Sequence, residues 1–183
     1  MLLAADRASL LLVDMQERLL PAMANAHETE RRCSILLKAA QLLEVPVAAS
    51  EQYPKGLGNT VAPLRLEIGN APVFEKTSFS CWREDTIKAY FINQYERGRS
   101  QVVIAGIEAH VCVLQTAIDM AQAGFAVYVA ADAISSRTTA SAGLAVDRMR
   151  QDGVCIINTE MAAFELLGKA GTPEFKTVSA LIK

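Results

Sequence analysis

The sequence has few histidines, one tryptophan and no clustered positive charge. Its 183 residues include two histidines, and 18 lysines and arginines stand against 20 acidic residues. The basic residues are scattered along the chain, so no positive field is available for a phosphate backbone and we expect no nucleic-acid partner. With only His27 and His110 as imidazoles, we also expect no metal. Gly56-Leu57-Gly58 lacks the spacing of a dinucleotide-binding loop, so we expect no cofactor.

Long apolar runs are absent as well. The apolar run at residues 10–13 is far too short to cross a bilayer, and the first seven residues lack the cationic and apolar parts of a signal peptide. We therefore expect a cytoplasmic protein with no membrane partner. Because 51% of the residues are apolar, the chain is able to bury one sizeable core, and we predict a single domain over residues 1–183.

The four cysteines include no C-x-x-C pair, which disfavours both zinc and a disulfide framework. We interpret Cys33 and Cys155 as small buried hydrophobic residues, which is what a free cysteine usually is in a reducing compartment. Cys81 is either a similar gap-filler or a redox thiol. Cys112 lies in a polar turn and needs a separate argument.

Short apolar segments alternate with longer segments of helical periodicity, which predicts a sheet of parallel strands covered by helices on both faces. The fold class we predict is α/β, a three-layer α-β-α arrangement with a six-stranded parallel sheet, similar to a Rossmann fold. The predicted strands are residues 9–13, 45–49, 71–76, 101–105, 126–130 and 154–157. The predicted helices are residues 28–44, 85–95, 112–123, 140–151 and 162–167, with a turn-rich lid or substrate loop at 53–59 and a tail after Gly168.

Three polar residues follow the predicted strands where the strands end. Asp14 follows the first strand, Lys76 ends the third, and Cys112 lies just beyond the fourth. The carboxyl ends of parallel strands share one edge of the sheet, where ligands bind, so we expect these side chains to converge. A carboxylate there accepts the thiol proton, and we expect the lysine and the neighbouring helix N-terminus to lower the pKa of the thiol.

Three segments carrying these residues resemble the signature blocks of the isochorismatase-like cysteine hydrolase superfamily. The segments are Leu11-Leu12-Val13-Asp14-Met15-Gln16, Glu75-Lys76-Thr77-Ser78-Phe79-Ser80 and Gly106-Ile107-Glu108-Ala109-His110-Val111-Cys112-Val113. Residues 132–137 and 160–167 look closest to the branch called isochorismatase domain-containing proteins.

The resemblance implies a catalytic triad of Asp14, Lys76 and Cys112. It also implies a cis peptide bond between Ile107 and Glu108, in a turn whose amides at Glu108 and Cys112 form an oxyanion hole. Nicotinamidases of the superfamily carry an aspartate-x-histidine metal set after the second strand, whereas this chain has Ser50-Glu51-Gln52. The cysteine favours acyl transfer, and we predict hydrolysis of a small amide-type C–N bond through a thioester.

Several alternatives stay open at this point. One is hydrolysis of an isochorismate-like vinyl ether, and others are a non-catalytic binding protein or a redox protein on the same fold. The residues we expect near a small-molecule substrate are Gln16, Phe79, Trp82, Ile107 and His110. Gln16 either forms a hydrogen bond to a substrate amide or lies in solvent. The two aromatic residues either form a wall of the pocket or pack against the protein, and the His110 side chain lies either on the polar rim of the site or in the pocket. Apolar helix surface would suit a homo-oligomer.

Overall fold

The computed structural model describes residues 1–182, and within them six strands alternate with eight α-helices. The strands are β1 (Ala8–Val13), β2 (Val47–Gln52), β3 (Val73–Lys76), β4 (Gln101–Ile107), β5 (Ala126–Ser135) and β6 (Cys155–Ile157). The helices are α1 (Ala26–Leu42), α2 (Pro54–Leu57), α3 (Ala62–Ile68), α4 (Asp85–Glu96), α5 (Leu114–Gln122), α6 (Thr139–Gln151), α7 (Thr159–Leu167) and α8 (Pro173–Ile182). No helix of this part of the chain has the length and apolar character needed to cross a bilayer.

All six strands are parallel and lie in the order β3-β2-β1-β4-β5-β6. This confirms the predicted α/β fold with a six-stranded parallel sheet. The strand order reverses at β1, since β2 and β3 lie on one side of it and β4 to β6 on the other. In an open parallel sheet, the carboxyl ends of the strands at such a reversal form a crevice, and Val13 pairs with Gly106 beside it.

The helices form one layer on each face of the sheet because successive strand residues point to opposite faces. Leu10 and Leu12 of β1 belong to an apolar cluster shared with α1, α3 and α7, whereas Leu11 and Val13 belong to one shared with α4, α5 and α6. Each residue of β1 is buried. A central strand covered on both faces reads as a continuous apolar run, which is why the sequence revealed it clearly.

Two strands, β2 and β5, continue at their carboxyl ends by three residues or more beyond the ends that the apolar pattern predicts. β2 begins at Val47 rather than at residue 45, although the carbonyl of Pro46 already accepts from Leu10 N, and it continues through Gln52. β5 continues beyond Ala130 to Ser135. Both extensions carry polar side chains that form hydrogen bonds inside the protein. The sequence pattern of these residues is therefore typical of a loop, although the residues form part of a strand in the fold.

Other boundaries also differ from the predictions. α1 begins at Ala26, and the tail after Gly168 contains α8. The segment between β2 and β3 contains the short helices α2 and α3, both of which have proline in the first turn. Cys155 is exposed on the edge strand β6, so its prediction as a buried residue was wrong, whereas Cys33 is buried as predicted.

Gly106 brings β4 unusually close to β1 at the crevice. A Cβ atom built on Gly106 would lie 2.0 Å from the carbonyl oxygen of Val13, and the residue has a φ of +116°. Only glycine accommodates both the contact and that backbone conformation. The absence of a side chain at Gly106 therefore allows β1 and β4 to lie close together, and the ends of these strands carry Asp14 and the Cys112 turn.

Candidate active site

Asp14 lies at the carboxyl end of β1 and is fully buried. Its φ is +50°, a left-handed conformation that aspartate tolerates better than most residues. Its Oδ1 accepts a hydrogen bond of 2.7 Å from the Ser50 hydroxyl, and its Oδ2 lies 2.8 Å from Nζ of Lys76. The turn conformation thus directs a carboxylate into the crevice, where an ammonium neutralises it.

The ammonium of Lys76 is surrounded by oxygen acceptors. Besides Asp14, it donates to Gln52 Oε1 at 2.6 Å and to the carbonyls of Ser78 and Phe79 at 3.2 and 3.1 Å. Burial is the largest influence and works against the charged form, but the Asp14 carboxylate and the Cys81 and Cys112 thiols together outweigh it, so the pKa of Lys76 is raised. The lysine is therefore a fixed cation at neutral pH and has no role as a proton acceptor there.

Cys112 belongs to a π-helical turn, Ala109–Val113, that joins β4 to α5. The residue is 5% exposed, and the Asp14 carboxylate is near enough for its charge to act on the thiol. Burial and the charge of Asp14 raise the pKa of the Cys112 thiol to about 12, although Lys76 acts in the opposite direction. The three residues predicted from the strand ends are thus brought together around one carboxylate.

The raised pKa corrects one expectation. The sequence led us to expect that the lysine and a helix N-terminus would lower the thiol pKa. The lysine is already paired with Asp14, and Cys112 lies in a π-helical turn that precedes α5 rather than at the N-terminus of that helix. At neutral pH the arrangement is therefore a thiol, a carboxylate and an ammonium, and the thiolate requires proton transfer to the carboxylate.

Gln16 and Gln52 support this arrangement in a way that the sequence did not reveal. Gln16 is fully buried, and its amide nitrogen donates to the carbonyls of Gln52 and Gly58 at 3.0 and 2.7 Å. Its amide oxygen accepts from Gln52 N at 2.8 Å. The prediction that Gln16 contacts substrate was wrong, because backbone groups already form the hydrogen bonds of its side-chain amide. Gln52, which we did not single out, is the residue that reaches Lys76.

The loop at 53–59 is attached to the segment that follows Asp14. Besides the Gln16 contacts, backbone N–H groups and one guanidinium of residues 17–18 donate to loop carbonyls at 3.0 Å. These bonds run from Glu17 N to Asn59, from Arg18 N to Leu57 and from Arg18 Nη1 to Gly56. The loop contains α2 and forms a fixed wall. Tyr53, Pro54 and Lys55 line a groove of about 320 Å³ that reaches Lys76.

Glu108 begins the turn that carries Cys112. Its carboxylate is bound by the Arg137 guanidinium through two hydrogen bonds of 3.1 and 3.0 Å, and its carbonyl accepts from Val111 N and Val113 N. The hydrogen bonds to Glu108 raise the pKa of Arg137. The peptide bond between Ile107 and Glu108 is cis. The Ile107 side chain is fully buried in the core, so the prediction that it lines the substrate pocket was wrong.

The remaining predicted contact residues lie in different places. His110 is half-buried, its Nδ1 is 2.9 Å from the Ser136 hydroxyl, and it lines a groove of about 210 Å³ against α6. Phe79 is 54% exposed, and its carbonyl binds Lys76. The Trp82 ring packs edge-on against Phe125, which precedes β5. This packing leaves Trp82 half-buried, and its role as a wall of the substrate pocket stays a prediction.

This site has the three residues and the fold position that the resemblance implied, and comparison with known proteins supplies the family. The family model described as the isochorismatase domain matches residues 8–161, from the start of β1 into α7. The chain belongs to the isochorismatase family. The match includes each strand and each residue of the candidate site.

Two relatives of this isochorismatase-family chain have similar sequences over most of its length. A secreted isochorismatase effector of Phytophthora sojae is 41% identical over 81% of this chain and 71% of its own length. Isochorismatase domain-containing protein 1 of Salmo salar is 40% identical over 93% of this chain and 59% of its own. The chain thus spans about three fifths of the salmon protein.

Solved structures share the complete fold. A Caenorhabditis elegans protein described as MAR1 ribonuclease has a TM-score of 0.92 at 34% identity, and the match covers 100% of this chain and 92% of that one. An Escherichia coli protein described as an octameric hydrolase of unknown specificity has a TM-score of 0.89 at 24% identity, and the match covers 98% of this chain and 90% of that one.

Within residues 1–182, no group of three or more potential ligands is arranged to hold a metal ion.

Proposed function

We propose that this isochorismatase-family protein is a cysteine hydrolase that cleaves a small amide-type C–N bond through a thioester on Cys112. The observation that carries the proposal is the buried Asp14–Lys76 ion pair of 2.8 Å, whose carboxylate acts on the buried Cys112 thiol. A buried charge pair is expensive to desolvate and is weak evidence of a stabilising role. A nucleophile beside such a pair in a sheet crevice supports catalysis.

In the acylation step, the Cys112 proton moves to the Asp14 carboxylate as sulfur attacks the carbonyl carbon of the substrate. Lys76 stays charged throughout and balances the negative charge that remains in the site. The same proton then passes from Asp14 to the leaving nitrogen, the C–N bond breaks, and ammonia or an amine departs. A thioester on Cys112 remains.

In the deacylation step, water attacks the thioester carbonyl and gives a proton to Asp14. The C–S bond breaks, the acid product leaves, and the proton returns to the sulfur of Cys112. The raised thiol pKa suits this cycle, because the resting state already holds the proton that the leaving group needs. The amides of Glu108 and Cys112, in the turn that holds the sulfur, are proposed to donate to the tetrahedral oxyanion.

Hydrolysis of an isochorismate-like vinyl ether is the second candidate. It is favoured by the relative from Phytophthora sojae, whose name describes an isochorismatase. That reaction protonates a carbon–carbon double bond and needs no thiol nucleophile. Asp14 and Lys76 would then act alone, and blocking Cys112 chemically would leave the chemical step intact except for steric obstruction.

The test is a panel of small amides and nitriles screened by ammonia release, with isochorismate screened in parallel. We expect turnover of an amide that Cys112→Ala abolishes, and trapping of an acyl adduct on Cys112 that intact mass reveals. Cys33→Ala is the matched control, since it removes another buried thiol in a different part of the core. Full turnover by Cys112→Ala, or isochorismate cleavage insensitive to thiol alkylation, would contradict the thioester mechanism.

Two accompanying predictions stay separate from the chemistry. We propose that the protein is a homo-oligomer, as the octameric description of the Escherichia coli neighbour suggests, and sedimentation at several concentrations tests it. A cytoplasmic location and the absence of a nucleic-acid partner remain predictions from the composition. The name ribonuclease belongs to the Caenorhabditis elegans neighbour.

A further inference from the structure

Three buried polar groups lie in a row that ends on the Asp14 carboxylate. The Cys81 sulfur is 3.4 Å from the Ser50 hydroxyl, and that hydroxyl is 2.7 Å from Asp14 Oδ1. Ser50 belongs to β2, and Cys81 begins a short 3₁₀ turn after β3. Cys81 and Asp14 are completely buried and Ser50 almost so. No step of the proposed mechanism uses Ser50 or Cys81.

The direction of the protons in this row follows from their number. A serine hydroxyl has one proton, and the ionised Asp14 has none, so Ser50 donates to Asp14 Oδ1. The Ser50 oxygen is then an acceptor, and Cys81 must donate its S–H proton to it. Burial and the Asp14 charge raise the pKa of the Cys81 thiol to about 11, so the thiol keeps this proton at neutral pH.

The two carboxylate oxygens therefore have different surroundings. Oδ1 accepts from Ser50, whereas Oδ2 makes the ion pair with Lys76 and accepts no hydrogen bond of good geometry from the residues described. The hydrogen bond from Ser50 and the ion pair with Lys76 therefore fix the orientation of the carboxylate, with Oδ1 toward the hydroxyl and Oδ2 toward the ammonium. A charge-assisted bond of this kind also favours the ionised carboxylate.

We propose that Ser50 and Cys81 form a positioning relay that holds Asp14 ionised and in the orientation in which it receives the proton of Cys112. The inference rests on the proposed function, in which Asp14 takes that proton. Ser50 and Cys81 touch no reacting atom and act only through Asp14. The relay gives the second buried thiol of the site a role in setting the pH range over which Cys112 reacts.

The groups that titrate around Asp14 come from three elements. Lys76 faces it from β3, Cys112 from the π-helical turn, and Cys81 from the 3₁₀ turn. Glu84 binds the amides of Thr77 and Ser78 near Lys76, and these bonds lower its pKa. Because Lys76 and both thiols have raised pKa values, none of these three groups loses its proton on the acid side of a Cys112 reactivity profile.

The experiment measures alkylation of Cys112 by iodoacetamide, followed by peptide mass spectrometry from about pH 4 to about pH 9. In the reaction, the S–C bond forms, iodide leaves, and the thiol proton passes to Asp14 and then to solvent. No substrate is required. Ser50→Ala should move the midpoint of the acid limb upward by about one pH unit, the size expected for losing a hydrogen bond to an ionised group.

Cys81 offers a matched pair of variants. Cys81→Ala should move the midpoint in the same direction by about 0.3 pH unit, since it acts one bond further away. Cys81→Ser keeps a donor and should retain the wild-type midpoint. Cys33→Ala is the control: its thiol is also completely buried and 3.4 Å from an acceptor, the carbonyl of Ala133, but it has no contact with Asp14.

The possible outcomes separate the relay from the mechanism. Wild-type midpoints in both Ser50→Ala and Cys81→Ala, with an acid limb that Asp14→Asn removes, would overturn the relay and leave the proposed mechanism standing. An acid limb unchanged in Asp14→Asn would overturn both. If Ser50→Ala fails to fold, the comparison of Cys81→Ala with Cys81→Ser decides, and equal midpoints there overturn the relay.

Discussion

Two ion pairs in this protein have the same nitrogen–oxygen distance, but one is buried and the other lies at the surface. Asp14 and Lys76 are 2.8 Å apart with both side chains fully buried, and Arg83 and Asp119 are also 2.8 Å apart with the arginine side chain 63% exposed. The surface pair keeps most of its hydration, whereas the buried pair has exchanged water for fixed protein groups. Distance alone therefore says little about the role of a charge pair.

The number of partners marks the difference more clearly than the distance does. Lys76 has four oxygen acceptors and Asp14 has a second donor on its other oxygen, so the buried charges are held in one geometry. Arg83 makes two contacts, both to Asp119. The many polar partners therefore hold the buried pair in one geometry that the surface pair lacks, and three changes test this contrast.

The largest effect is expected from Lys76→Met, which leaves Asp14 buried beside Ser50 without a counter-ion. Breaking a buried pair in this way costs about 3–5 kcal/mol in the free energy of unfolding. Chemical denaturation measures it. The double variant Asp14→Asn with Lys76→Met removes both charges and should recover part of the loss. Equal stability of the single and double variants would mean that the two charges are not coupled.

A somewhat smaller effect is expected from alkaline pH acting on Cys112. The folded protein keeps the thiol protonated to a pKa of about 12, and the unfolded chain loses its proton near pH 9. This stabilising contribution is complete below about pH 9 and is lost as the pH rises through about 12, up to about 4 kcal/mol.

Cys112→Ala separates this contribution from the titration of lysines and tyrosines. The variant should have a flatter decline of unfolding free energy between about pH 9 and about pH 12 than the wild-type protein. Denaturant titrations at fixed steps of pH supply the comparison, with Cys155→Ala as the control because that thiol is exposed. Parallel declines in the wild-type protein and Cys112→Ala would show that the buried thiol is not held protonated.

The smallest effect is expected from Arg83→Met at the surface pair. Exposed pairs contribute about 0.2–1 kcal/mol, and salt screens them further. The change in unfolding free energy should lie in that range at low ionic strength and shrink at about 1 M salt. A loss approaching that of Lys76→Met would remove the distinction between the two pairs.

The sequence predicted the fold and the positions of the three central residues because both follow from apolar periodicity. Buried strands are continuous apolar runs, and the residues that end them must lie at one edge of a parallel sheet. Asp14, Lys76 and Cys112 could be found in this way without knowledge of any side-chain contact.

The supporting residues could not be found so readily. Ser50, Gln52 and Gln16 are polar residues that look solvated in a sequence, yet Ser50 and Gln16 are buried and Gln52 is half-buried, because each has partners that are remote along the chain. The thiol pKa had the wrong sign in our prediction because burial outweighs the nearby ammonium, and burial is a property of the assembled fold. A rule that expects polar residues at the end of a buried strand to continue the strand would have found Ser50 and Gln52.

The attachment of residues 53–59 to the segment after Asp14 has a consequence for selectivity. Because carbonyls of Gly56, Leu57, Gly58 and Asn59 are all bonded to residues 16–18, this wall is finished when the chain folds rather than when a ligand arrives. We therefore predict that discrimination between ligands by size on that side depends on the shape of this wall and needs no movement of the loop.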